Sequence, residues 1–114
     1  MRRILASDQE WPQQLNQLEV SPAQLFIESS ESDLSVLTAK SIAIVGSRNA
    51  TPYGLRIAAD FAASLAESGY TIISGGAFGI DAAAHRGALS VGGKTVVVLA
   101  GGVDSPYPIA HSNL

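Results

Sequence analysis

The sequence predicts an α/β fold, a Rossmann-like parallel sheet with helices on both faces. Two corners of the chain carry this reading. Ser41–Tyr53 (SIAIVGSRNATPY) and Thr71–Asp81 (TIISGGAFGID) each run from an apolar stretch through small residues into a helix start. A third apolar run, Thr95–Leu99 (TVVVL), again gives way to glycines, Gly101-Gly102. None of the three runs alternates apolar with polar residues, the pattern expected of strands covered on both faces in a parallel sheet.

Taken in order, residues 1–40 form a lead-in segment expected to pack on the main domain. Trp11-Pro12 with Leu15 and Leu18 suggests a short helix, Pro22–Ile27 an edge strand, and Ser29–Ser35 a polar turn. Residues 41–114 form the front part of the Rossmann-like domain. The first strand, Ser41–Val45, is broken by Gly46. Thr51 is a suitable N-cap and Pro52 a suitable first helical residue. The helix is expected to run to about Ser68, with Ala58, Phe61, Ala62 and Leu65 facing inward and Arg56 pairing with Asp60 on the outer side. Gly69 stops it.

The second strand covers Tyr70–Ile73, with Gly75-Gly76 as its turn. Ile80–Val91 makes the second helix, presenting Ile80, Ala84, Ala88 and Val91 inward. Thr95–Leu99 is the third strand, and Val103–Leu114 a loop holding Pro106 and Pro108. Right-handed crossovers join such strands into one sheet. Three strands do not bury both faces of it, so a partner or a further stretch of chain is expected to supply the rest. The domain reads as truncated.

Composition excludes several chemistries. The 114 residues contain no cysteine, which removes disulfides, thiolate metal sites and a cysteine nucleophile. No apolar run approaches the length of a membrane span, and a cytoplasmic protein without membrane association is the expectation. The net charge is −3, but it is unevenly spread: between Ile4 and Ala39 stand six acids and no Lys or Arg, whereas from Lys40 onward five bases face four acids. A localised anion pocket fits this better than a broad basic surface.

Neither corner is a nucleotide fingerprint: G-x-G-x-x-G and G-x-x-x-x-G-K-S/T are both missing. Backbone amides at Gly46–Arg48 and Gly75–Phe78 can nonetheless face an anion, assisted by two helix N-termini. Ser47 can donate a hydrogen bond, and Arg48 can either clasp phosphate bidentately or pair with a carboxylate such as Asp81. Phe78 can stack on a nucleobase, or plug the crevice against Tyr53. Asp81 and His85 stand one helical turn apart, yet no third metal ligand accompanies them, and no metal is expected. Asp81 is read as capping or orienting the turn, and His85 with Arg86 as a solvated or supporting face. No nucleophile–base pair is visible, so no catalytic residue and no cofactor is assigned.

The stretch IAIVGSRNATPYGLRIAADFAASLAESGYTIISGGAFGIDAAAHRGAL, followed by GGKTVVVLAGGVDSPYP, resembles the bacterial DNA-processing protein family, DprA/Smf. The shared pieces are a G-[ST]-R turn before a [TP]-x-Y-G helix start, then S-G-x-A-x-G-I-D-x-x-A-H-x-x-A-L, then G-x-D-x-x-Y-P. The match is tight over residues 41–108 and looser over 1–40, where W-P-x-x-L and P-x-x-L-F also fit.

The resemblance implies a single-stranded DNA-binding protein of DNA uptake and recombination that protects incoming strands and helps load the RecA recombinase, acting as a homodimer. By motif, Gly46, Ser47 and Arg48 would form the backbone-phosphate pocket with Gly75, Gly76 and Ala77 as its second wall. Tyr53 and Phe78 join them, and Asp81 and His85 support them. Phe78 stands where many members carry Arg, and the family continues past this segment with an F-x-x-R-N-R stretch that completes the pocket. Two other readings stay open: a lysine-decarboxylase-like phosphoribohydrolase, which would show P-G-G-x-G-T-x-x-E, and a nucleotide-sensing module.

Overall fold

The computed structural model describes residues 2–20, 22, 24–27 and 34–99. The chain divides into two compact units, residues 1–40 and 41–114. The first contains β1 (Arg2–Leu5), a 3-10 turn (Gln13–Gln17), β2 (Gln24–Ile27) and α1 (Leu34–Ala39). β1 and β2 pair antiparallel, Arg2 opposite Ile27 and Leu5 opposite Gln24. The Asp8 carboxylate accepts from the Leu5 amide at 2.7 Å and turns the chain out of β1.

Ile4 and Trp11 are buried there, with Leu15 and Leu25 packed against them. The Trp11 indole N–H is buried without a hydrogen-bond partner among the described residues. β1 had no counterpart in the sequence reading, because Met1-Arg2-Arg3 gives a period-2 pattern no length to develop in. The segment expected as a polar turn, Ser29–Ser35, overlaps the start of α1; its residues 29–33 lie outside the described residues.

The second unit contains β3 (Ser41–Ala43), α2 (Pro52–Glu67), β4 (Thr71–Gly75), α3 (Ile80–Ser90) and β5 (Thr95–Val98). All three strands are parallel, in the order β3-β4-β5, with Ile42 beside Ile72 and Ile72 beside Thr95. This is the expected α/β class. Because the order runs one way and crossovers are right-handed, both helices of this unit share one face, where they pack extensively on each other and on β4.

Their contact is built from small residues. Ala62, Ala84 and Ala88 close over Ile72, with Ile44, Leu65 and Ala66 alongside. At Gly87 the helices approach until a Cβ would lie 2.2 Å from the Ala59 carbonyl oxygen, so only glycine fits.

Among the described residues of this unit the other face of the sheet is open, as expected of three strands alone. Residues adjacent in a strand point to opposite faces. Ile42, Ile72 and Thr95 turn to the helices, so Ala43, Val45, Ile73, Val96 and Val98 turn away. Val45 is 69% exposed and Val98 60%. The β-branched runs are therefore one-sided in this unit, because no helix among its described residues covers that face.

Two helix assignments also shift. Phe61, expected inward, is 62% exposed, and Val91, exposed as well, is the C-cap beyond the last residue of α3. Arg56 does not pair with Asp60 but lies over the Tyr53 ring at 5.6 Å. The loop read at Val103–Leu114, with its two prolines, lies outside the described residues.

Gly87→Ala should force α2 and α3 apart. Overpacking of about 1–3 kcal/mol outweighs the ~1 kcal/mol gained in helix propensity. Urea unfolding followed by far-UV circular dichroism should therefore show a lower midpoint than the unsubstituted chain.

Candidate functional site

The two predicted corners interlock at the carboxyl ends of β3 and β4. The first begins where Ile44 gives its last sheet bond, its amide to the Ile73 carbonyl at 3.0 Å. Gly46 then passes against Ile80, whose Cγ1 would be 2.8 Å from a Cβ at that position. The Ser47 hydroxyl accepts from the Asn49 amide at 3.0 Å, which closes the turn and leaves the hydroxyl hydrogen able to donate outward. Thr51 caps α2 by accepting from the Gly54 amide at 3.0 Å, with Pro52 in the first helical turn.

The second corner rests on Gly79. Its φ of 79° belongs to the region that favours glycine, and a Cβ there would meet the Ser47 carbonyl oxygen at 2.2 Å. That carbonyl accepts from the Ile80 amide at 3.1 Å, so the first amide of α3 holds the first corner.

Asp81 and His85 do the rest from the next turn of α3. The Asp81 Oδ1 accepts from the Gly46 amide at 3.3 Å, and its Oδ2 crowds Gly75, where a Cβ would lie 2.8 Å away. His85 has no exposed surface. Its Nε2 faces the Gly75 carbonyl at 2.9 Å and its Nδ1 the Thr95 hydroxyl at 2.5 Å. The Thr95 hydroxyl also stands 3.0 Å from the Ile72 carbonyl.

These contacts revise the sequence reading. Of the two alternatives for His85, a solvated or a supporting face, its burial agrees with the second, while Arg86 is exposed. His85 belongs to the inner stripe of α3, and its hydroxyl partner arrives from β5, which residue spacing along the helix does not reveal. The Gly46 amide is spent on Asp81 and the Ile80 amide on Ser47, so neither is open to an anion. The Ser47, Gly76 and Ala77 amides make no hydrogen bond to another described residue. Asp81 turns to the backbone of the first corner, and the Arg48 guanidinium lies over the Phe78 ring at 5.9 Å.

Arg48 and Phe78 are exposed, as is Tyr53 beside Arg56. Gly76 and Ala77 are half-buried in the turn between them and β4. Gly79, Ile80 and Thr95 were missed by sequence reasoning. For Gly79 a signal existed, a glycine directly before an apolar helix start; for Thr95 there was none. Among the described residues no three His, Asp or Glu side chains converge as metal ligands, and no helix is long and apolar enough to cross a membrane.

An α/β unit with two glycine turns locked together beneath an exposed arginine defines a class of scaffold rather than one protein. The comparisons narrow it: residues 2–114 match the family of DNA recombination-mediator protein A, and the chain belongs to that family. A protein named for DNA processing protein DprA in Mycobacterium tuberculosis is 56% identical over 81 residues, 71% of this chain and 21% of that one. Protein Smf of Escherichia coli is 39% identical over 111 residues, 97% of this chain and 29% of its own.

The crystal structure of DNA processing protein A from Streptococcus pneumoniae superposes with a TM-score of 0.85 at 35% identity, covering 96% of this chain and 37% of that one. The chain thus spans little more than a third of these relatives at most.

Burial pushes the His85 pKa below the ordinary 6.5, opposed by the hydrogen bond to the Gly75 carbonyl and by the Asp81 charge. A depressed pKa means that the unfolded chain takes up a proton first as pH falls. The contribution of His85 is therefore complete above 6.5 and is lost between that value and its lower folded pKa. Urea unfolding by circular dichroism at about pH 7.5 and about pH 5 should show this loss, and His85→Gln should make the two conditions more alike.

Proposed function

We propose that this chain is part of a protein that binds single-stranded DNA by its phosphate backbone at the interlocked corners, without catalysing a reaction on it. One observation carries the reading. An exposed arginine lies over an exposed aromatic ring at the mouth of a turn lined by Ser47, Gly76 and Ala77. A guanidinium meets phosphate bidentately and a ring face accepts any base, the combination that suits a strand read without regard to sequence.

The buried Asp81 charge nearby disfavours an anion placed deep in the corner, so the strand runs across the rim at Arg48 rather than into the turn. With the family as support, the full protein protects incoming strands during DNA uptake and recombination. It passes them to the RecA recombinase and works as a homodimer in the cytoplasm.

The test is fluorescence anisotropy of labelled oligo-dT with the full-length protein at two salt concentrations, with duplex DNA and AMP as competitors. Binding should fall with salt and prefer single strands. Arg48→Ala should weaken it for every sequence and flatten the salt slope by roughly 0.7, the share of one phosphate contact. Ready displacement by AMP would instead assign the corner to a small nucleotide, as in a phosphoribohydrolase or a sensing module.

A further inference from the structure

We propose that Asp81 and His85 are positioning residues that set the spacing of the two glycine turns. They would hold the Gly75–Ala77 wall in register with Arg48. The inference rests on the DNA-binding reading above and specifies what keeps that site in shape.

The argument starts from hydrogen-bond inventory. A carbonyl only accepts, so the His85 Nε2 facing Gly75 carries the hydrogen. In the neutral ring Nδ1 is then an acceptor, and the single hydrogen of the Thr95 hydroxyl is shared between it and the Ile72 carbonyl. The ring is thus gripped by β4 at one nitrogen and β5 at the other. One turn earlier, Asp81 accepts from Gly46, just past the end of β3.

A single helical turn therefore ties the backbone just past β3, the backbone of β4 and a side chain of β5. Both corners are reached through side chains whose length fixes the distance from the α3 backbone. Neither Asp81 nor His85 is exposed, so neither reaches a ligand at the rim. Their effect on binding passes through Gly46 and Gly75.

A merely structural pair would act on stability alone, and two conservative variants separate the cases. A glutamine amide nitrogen reaches the place of Nε2, whereas an asparagine reaches only that of Nδ1. In the full-length protein, His85→Gln should keep oligo-dT affinity within about twofold, and His85→Asn should weaken it about tenfold, the worth of one buried hydrogen bond. Circular dichroism would show both folded under the binding conditions, with His85→Asn the less stable.

The backbone amide resonances of Gly75, Gly76 and Ala77 should move in His85→Asn and stay in His85→Gln. Equal affinities in the two variants, with binding intact in the parent, would overturn the inference while leaving DNA binding in place. If the parent does not bind oligo-dT, the DNA reading fails, and the resonances alone decide whether the tie exists. Should His85→Asn not fold, Asp81→Asn against Asp81→Ala gives the same contrast at Gly46, since asparagine retains an accepting oxygen. Indistinguishable Gly46 resonances there would equally overturn it.

Discussion

The carbonyl of Ser47 is the contact on which the second unit turns. It takes the first amide of α3 and rests against Gly79, where no side chain is tolerated. A loop that would otherwise be an open glycine turn is thereby made part of the next crossover. The two corners cannot move independently, because shifting one removes a hydrogen bond from the other. The exposed Arg48 and Phe78 stand on the two loops that this backbone contact joins.

The same economy of size runs through the helix pair. Alanines at 62, 84 and 88 and glycine at 87 bring the helix backbones close, so each helix contributes little apolar bulk. Close approach gains many weak dispersion contacts and loses little side-chain entropy. Larger apolar groups stay outside this unit, Phe61 on α2 and Val45 and Val98 on the sheet face turned away from the helices. The polar groups brought in with α3, Asp81 and His85, are each met by hydrogen-bond partners, as burial at that depth requires.

Much of this architecture was legible in the residues. Thr51-Pro52 announced the start of α2, and Gly69 its end, because caps and breakers act locally. The three β-branched runs announced a parallel sheet. What one sequence could not show was sidedness. A run such as TVVV looks the same whether one or both of its faces are covered, and strand order decides which.

The site divides along the same line. Arg48 and the glycines stand out by their neighbours in sequence, whereas the role of His85 depends on a threonine from another strand. The Arg56–Asp60 pairing failed for a related reason. Helical spacing permits it, but an aromatic face at Tyr53 lay equally near.

Trp11 is the one tryptophan of the chain. It sits fully buried in the small core of residues 1–40, while the aromatic side chains of residues 41–99 are Tyr53, Phe61, Tyr70 and Phe78. Indole emission therefore follows the packing of the first unit's core. The backbone signal of α2 and α3 follows mainly the second. The two units carry separate spectroscopic labels by composition, so whether they unfold together or in sequence can be read from one sample without an added probe.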